Sequence, residues 1–201
     1  MKMSNIVLAS TSPYRRELLQ KVIPEFAVVA PAVDETQQAG ESPQQLVERL
    51  AQAKARAVAA QFPQHIIIGS DQVAVVDQSV LGKPGSVERA IAQLQQMRGK
   101  TVTFLTGLAL YDSALNRSQS LVEPFQVTLR ELTDNEIRAY VEREQPLNCA
   151  GSFKSEGLGI CLFEHLRGDD PNSLIGLPLI QLVRMLARWD YNPLLMDPKT
   201  Y

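Results

Sequence analysis

The first thirty residues alternate between short apolar runs and a helix-forming stretch. Ile6-Val7-Leu8 predicts a strand, residues 15–22 predict a helix, and residues 27–30 predict a second strand. Strand-like runs and helical periodicity continue to alternate along the rest of the chain. This alternation is typical of an α/β protein with an extended sheet.

The remaining elements are predicted from periodicity and from helix-capping residues. Ser42 followed by Pro43 marks the start of a long helix, and Thr133 with Glu136 has the form of a capping box. Pro178 suits the start of the last helix. The predicted helices cover residues 15–22, 43–61, 87–97, 133–144 and 177–189. The predicted strands cover residues 6–8, 27–30, 65–69, 73–76, 102–111, 125–129, 152–153 and 158–163.

Length and charge limit the class of protein. The 201 residues carry a net charge of -2, and 45% of them are hydrophobic, which is ordinary for a globular protein. A near-neutral chain does not favour nucleic-acid or membrane partners, and no run is apolar enough to span a bilayer. We therefore expect a cytoplasmic protein with one domain or two closely joined lobes over residues 1–190, and a poorly structured tail over residues 191–201.

The loop after the first strand combines hydroxyl groups and guanidinium groups. Ser10 and Ser12 can cap free backbone donors, Pro13 suits the first helical turn, and Arg15 and Arg16 follow. A helix N-terminus next to hydroxyls and arginines suits a phosphate chain. The alternative is an ordinary capped helix with solvated arginines.

Two carboxylates follow apolar runs. Asp71 comes after Ile66-Ile67-Ile68-Gly69-Ser70, which places it at the end of a buried strand, where α/β proteins carry functional groups. It can bind a hard divalent cation or accept a proton from water. Glu35 follows the second strand and would complete a metal site if it meets Asp71 in space. The alternatives are a Ser-Asp turn at Asp71 and a simple turn entry at Glu35.

Three further charged residues are candidates for substrate contacts. Lys54 lies in the long helix, where it is either functional or an exposed helix former. Lys83 is held between Gly82 and Pro84, which suits a phosphate contact or, equally, a solvated turn. Glu156 lies in a Gly-bounded stretch and can accept two hydrogen bonds from a base edge, unless the stretch is only a hairpin.

Taken together, these motifs resemble the Maf family of nucleoside triphosphate pyrophosphatases, from Ile6 to about Arg188. Seven short motifs in the family's order carry the resemblance, which makes it highly specific although each motif alone is weak. They are Leu8-Ala9-Ser10-Thr11-Ser12-Pro13-Tyr14-Arg15-Arg16, Val33-Asp34-Glu35-Thr36, Ala53-Lys54-Ala55, Ile68-Gly69-Ser70-Asp71-Gln72, Gly82-Lys83-Pro84, Ala150-Gly151-Ser152-Phe153 and Ile175-Gly176-Leu177-Pro178.

The resemblance implies an α/β fold of the inosine-triphosphatase-like kind: an extended mixed sheet with flanking helices, in two lobes around a cleft. It implies hydrolysis of a nucleoside triphosphate to the monophosphate and diphosphate with a divalent cation, Mg²⁺, Mn²⁺ or Co²⁺. Glu35 and Asp71 would hold the metal or orient water, and Asp71 would accept the proton. The family's functional pattern falls on Ser10, Arg15, Glu35, Lys54, Asp71 and Lys83.

Within the family, this chain looks like the branch that acts on 7-methylguanosine triphosphate. The marks of that branch are Tyr14, where the branch typically has Trp, together with Gln72 and Glu156. N7-methylation makes guanine cationic, and a cationic ring over an aromatic side chain gains roughly 0.5–2 kcal/mol. Gln72 and Glu156 have the donors and acceptors needed to read a base edge.

Two other functions are alternatives. The first is a pyrophosphatase of the same family that acts on thymidine or uridine triphosphate. The second is a nucleotide-binding regulator of cell division or septation with little catalysis. The pair Glu35 and Asp71 favours an enzyme, because binding alone needs cations more than carboxylates. The expected partner is a small nucleotide, and the oligomeric state is left open between a monomer and a homodimer.

Overall fold

The computed structural model describes residues 5–195, which divide into two compact units. The first unit takes the residues up to Asp71, Thr106–Glu123 and the residues from Gly176 onward. The second takes Gln72–Leu105 and Pro124–Ile175. The part of the predicted tail at residues 196–201 lies outside the described residues. Among those described, no helix has the length and apolarity needed to cross a bilayer.

The strands of the described residues form one mixed sheet. Its order is β2-β1-β3-β5-β6-β7, with β4 paired to β3. In the first unit, β1 pairs in parallel with both β2 and β3, with Ala9 opposite Gly69 at its last position. The strands are β1 (Ile6–Ala9), β2 (Ala27–Val29), β3 (Ile66–Val76), β4 (Ser79–Leu81), β5 (Thr101–Asp112), β6 (Arg117–Leu129) and β7 (Phe163–Arg167).

The α-helices begin where the sequence supplies caps. Ser12, Ser42 and Ser86 each accept a hydrogen bond from a first-turn N–H, and Thr133 forms the predicted capping box with Glu136. The helices are α1 (Pro13–Gln20), α2 (Pro43–Ala57), α3 (Val87–Met97), α4 (Asp134–Glu144), α5 (Pro171–Ile175) and α6 (Leu179–Ala187).

Two glycines let helix α2 lie directly on the sheet of the first unit. A Cβ at Gly69 of β3 would lie 2.1 Å from the Ala51 carbonyl oxygen, and one at Gly107 of β5 would lie 2.2 Å from that of Val47. Both distances are far below van der Waals contact, so only glycine allows this spacing. The close packing brings the α2 backbone within reach of the functional stretch of β3.

Each unit has its own apolar core. In the first unit the cluster joins β1, β3 and α2, and in the second it joins β3 to β6 with α3 and α4. Phe104, Phe153 and Phe163 of the second unit stack edge to face, with ring centroids 4.8–5.2 Å apart. The apolar cluster of the first unit contains Val7, Ala9, Ala55, Val58 and Ile67.

Most predicted elements are present, with a few differences. Residues 65–69 and 73–76 belong to one continuous strand, β3, because the residues between them stay extended. Residues 158–163 were expected to be a strand, but Leu158–Leu162 is a 3-10 helix. Residues 152–153 are not a strand either, since Gly151 and Ser152 both have positive φ. The last helix begins at Leu179, with Pro178 as its N-cap.

Candidate active site

The loop after β1 is built by its own hydroxyl groups. Ser10 is buried, and its Oγ accepts a hydrogen bond from the Ser12 N–H at 3.1 Å. Ser12 Oγ in turn accepts from the Arg15 N–H at 3.4 Å and so caps α1. The predicted capping role is therefore confirmed. This arrangement fixes the start of α1, from which Tyr14 and Arg15 extend.

Lys54 joins the two predicted carboxylates. Its Nζ lies 2.7 Å from Asp71 Oδ1 and 2.6 Å from Glu35 Oε1. Lys54 and Asp71 are buried, at 7% and 8% exposed, whereas the Glu35 side chain is 60% exposed. The expectation that Glu35 and Asp71 meet in space is met through this shared lysine. Lys54 is thus not an exposed helix former, because α2 turns it toward β3.

Arg15 is held close to this ionic cluster. Its Nε donates to the Gly176 carbonyl oxygen at 2.8 Å, and the Ser70 hydroxyl donates to the same oxygen at 2.9 Å. Burial lowers the pKa of the Arg15 guanidinium, while the charges of Asp71 and Glu35 oppose that shift. Gly176 has φ +125° and leaves room for the guanidinium, since a Cβ there would lie 3.3 Å from Arg15 Nε.

The segment that carries Glu35 is tied to α2. Asp34 Oδ1 accepts from the Thr36 N–H at 2.9 Å, which forms a local turn around Glu35. Arg49 of α2 donates to the Thr36 carbonyl oxygen at 3.1 Å and to Glu41 Oε2 at 2.9 Å. The Arg49 guanidinium lowers the pKa of Glu41 to about 2, so this ion pair persists in mild acid.

Asp71 lies inside a strand rather than at its end, which corrects the prediction. Parallel pairing with β1 covers Ile66–Gly69, and antiparallel pairing with β4 covers Ala74–Val76. Asp71 falls between these two stretches, just past the last residue of β1. Its side chain can therefore meet Lys54 although β3 itself continues. The Ser-Asp turn, the alternative interpretation, is excluded.

Three predicted residues belong to the second unit. Gln72 Nε2 donates to the Ser173 carbonyl oxygen at 2.7 Å and to that of Leu174 at 3.2 Å. Lys83 is exposed between β4 and α3. Glu156 is exposed in the turn after Lys154, where the Ser155 hydroxyl donates to its Oε2 at 3.3 Å. The predicted roles of these three residues in binding stay predictions.

The ionic cluster of the first unit, formed by Arg15, Glu35, Lys54 and Asp71, can bind and orient a ligand, but its own charges nearly cancel. Two cations, Lys54 and Arg15, face two carboxylates, Glu35 and Asp71. Within residues 5–195 no group of three His, Cys, Asp or Glu side chains is placed to hold a metal ion. Two converging carboxylates nevertheless fit a Mg²⁺-type cation that takes its other ligands from phosphate oxygens and water.

The sequence interpretation missed three kinds of supporting residue. Gly176, whose carbonyl oxygen accepts from Arg15, and Ser70, which donates to the same oxygen, both lie within the family motifs, but no role was predicted for either. Arg49, which ties down the Glu35 segment, and Glu144, which contacts the turn around Glu156, lie outside every motif. Only the structure identifies those two.

Two comparisons with known proteins match nearly the whole chain to the same family. The family model described as Maf-like protein matches residues 5–189. A protein of Colwellia psychrerythraea (strain 34H), named 7-methyl-GTP pyrophosphatase, is 55% identical over 186 residues, which cover 92% of this chain and 93% of the relative.

A solved structure shows the same architecture. The Staphylococcus aureus Ham1 protein matches with a TM-score of 0.54 at 14% identity, over 92% of this chain and 98% of its own. At that identity the similarity concerns the fold alone. Together with the mixed sheet and its flanking helices, it confirms the predicted α/β fold of the inosine-triphosphatase-like kind.

Proposed function

Because the chain belongs to the Maf family, we propose that it is a nucleoside triphosphate pyrophosphatase that hydrolyses 7-methylguanosine triphosphate. The products are 7-methylguanosine monophosphate and inorganic diphosphate (pyrophosphate), so the activity removes a modified nucleotide triphosphate. The single observation that carries the substrate is the 55% identity to a relative named 7-methyl-GTP pyrophosphatase. We propose the cytoplasm as its site of action.

The chemistry of the ionic cluster of the first unit supports hydrolysis of a phosphoanhydride bond. A water molecule attacks the α-phosphorus, and Asp71 accepts its proton. Inorganic diphosphate is the leaving group. Lys54 holds Asp71 and Glu35 side by side through two ion pairs. Of its three N–H groups, two have partners among the described residues, so the third remains for a phosphate oxygen. Arg15 adds a second cation beside the same carboxylates.

A divalent cation completes this proposal. Glu35 and Asp71 would hold it together with phosphate oxygens of the substrate. When bound, the cation would offset the negative charge of the triphosphate, which the nearly neutral cluster leaves uncompensated. Two carboxylates that already share a lysine are a weak site on their own, so cation binding would depend on the nucleotide.

A panel assay tests the function. Release of diphosphate would be measured for 7-methylguanosine, guanosine, thymidine and uridine triphosphates, each with Mg²⁺, Mn²⁺ or Co²⁺. The highest kcat/KM is expected for 7-methylguanosine triphosphate. A preference for thymidine or uridine triphosphate would assign the chain to the other branch. Binding without turnover of any nucleotide would favour a regulator.

Lys83→Ala is expected to lower kcat/KM by a similar factor for every nucleoside triphosphate, roughly tenfold or more. The physical reason is that a lysine bound to phosphate carries no information about the base. The measurement is the same panel, with Lys100→Ala, another exposed lysine of the second unit, as control. A loss confined to one base would instead place Lys83 in base recognition.

Glu156→Ala is expected to lower the preference for 7-methylguanosine over thymidine triphosphate by roughly tenfold, since an unmet hydrogen bond in a binding pocket costs about 1–3 kcal/mol. Tyr14→Arg is expected to act in the same direction, because a guanidinium repels a cationic base. The readout is the ratio of the two kcat/KM values. An unchanged ratio in both variants, with activity retained, would remove both residues from base recognition.

A further inference from the structure

The turn around Glu156 has a well-defined backbone. We call residues Lys154–Leu158 the 154–158 turn. The N–H groups of Gly157 and Gly159 donate to the Lys154 carbonyl oxygen at 3.3 and 3.0 Å. A Cβ at Gly159 would lie 2.1 Å from that oxygen, so the turn closes tightly around it. Glu156 is the exposed acid of this closed turn.

Glu144, the last residue of α4, contacts the turn at both of its ends. Its Oε2 accepts from the Leu158 N–H at 2.9 Å, and its Oε1 lies 3.3 Å from Lys154 Nζ. Lys154 Nζ also donates to the Glu144 carbonyl oxygen at 2.9 Å. The hydrogen bond from Leu158 lowers the pKa of the Glu144 carboxyl, so the group is charged at neutral pH.

Two contacts complete this support. A Cβ at Gly157 would lie 2.9 Å from Glu144 Oε2, which shows how closely the carboxylate lies against the turn. One helical turn earlier, the Tyr140 hydroxyl accepts from the Lys154 N–H at 3.0 Å. Helix α4 thus holds the turn at Lys154, where it begins, and at Leu158, where it ends.

We propose that Glu144 is a positioning residue for nucleobase selectivity, acting through the 154–158 turn on Glu156. The inference rests on the proposed function, because it needs Glu156 to read the base. A hydrogen-bonding group discriminates between bases only when it is held in place, and a displacement of about 1 Å can cost up to 10²-fold. Glu144 is neither predicted by any motif nor expected to touch the substrate.

The test compares kcat/KM for 7-methylguanosine and thymidine triphosphates. Glu144→Ala is expected to lower that ratio by about five- to tenfold and to leave turnover of thymidine triphosphate close to wild type. Glu144→Gln keeps an oxygen that can accept from the Leu158 N–H, so it is expected to restore most of the ratio. Glu142→Ala, an exposed glutamate on the same helix, is the matched control.

A double variant separates positioning from an independent effect. Glu144→Ala combined with Glu156→Ala is expected to have the ratio of Glu156→Ala alone, because Glu144 acts through Glu156. Tyr140→Phe, which removes the acceptor for the Lys154 N–H, is a second variant that is expected to lower the ratio even if Glu144→Ala fails to fold.

Several results would overturn the inference. Equal losses with both substrates would mean a merely structural role, and an unchanged ratio in Glu144→Ala and Tyr140→Phe would mean no role. Additive effects in the double variant would exclude action through Glu156. If the wild-type protein itself shows no preference for 7-methylguanosine triphosphate, the proposed function fails. A wild-type preference that Glu156→Ala abolishes and Glu144→Ala preserves refutes this inference alone.

Discussion

Asp71→Asn is expected to lower kcat by about 10²–10⁴-fold and to leave nucleotide affinity close to wild type. An amide cannot accept the proton of the attacking water, although it has nearly the shape of the carboxylate. The measurement is single-turnover hydrolysis of 7-methylguanosine triphosphate, together with equilibrium binding of a non-hydrolysable analogue. Asp77→Asn, just beyond the end of β3, is the control.

The same variant is expected to be less stable than wild type by about 1–3 kcal/mol. From the sequence alone, a near-isosteric change at Asp71 is expected to cost little. The buried contact with Lys54 alters that expectation, because the substitution removes one of the two charges that neutralise the lysine. Near-normal turnover in Asp71→Asn would remove this residue from the proposed mechanism.

Lys54→Met is expected to lose both activity and stability. It leaves Asp71 buried without the lysine and removes the ion pair between Lys54 and Glu35, and breaking a buried ion pair from one side costs about 3–5 kcal/mol. We expect kcat/KM to fall by at least about 10²-fold for every nucleotide, because the two carboxylates are no longer held together. Urea unfolding and the nucleotide panel measure the two effects.

Lys83→Met is the matched control for the stability measurement. Lys83 is exposed, so its loss is expected to change the free energy of unfolding by no more than about 0.5 kcal/mol. A Lys54→Met variant as stable as Lys83→Met would mean that the two ion pairs of Lys54 contribute nothing to the fold. Full activity in Lys54→Met would contradict its role in holding the carboxylates.

The sequence was sufficient for the parts of the fold that depend on local signals. Capping residues such as Ser42 and Thr133 marked helix starts correctly, and residues 87–97 form α3 as predicted. The apolar run before Gly69 predicted a buried strand. These features follow from interactions within a few residues, which is why periodicity and capping chemistry recover them.

Features that depend on partners remote in sequence were not predictable. β3 runs through Asp71 because neighbouring strands pair on both sides of that position, and no local pattern encodes this. Residues 158–163 are a strand-like run in the sequence, but Leu158–Leu162 forms a 3-10 helix whose first N–H donates to Glu144. The hydrogen bond from Arg15 to Gly176 links residues 161 positions apart. Both residues lie in sequence motifs, but no motif indicates that the two are in contact.

The glycine contacts beneath α2 have a consequence for how this protein tolerates change. A single methyl group at Gly69 or Gly107 would lift the helix that carries Lys54 away from the strand that carries Asp71. Neither glycine has a functional group to offer a nucleotide, so a ranking of positions by chemistry would pass over both. Deep mutational scanning should nevertheless find them nearly as intolerant as the ionic residues. Engineers who wish to alter the reaction without losing it should keep these two positions fixed.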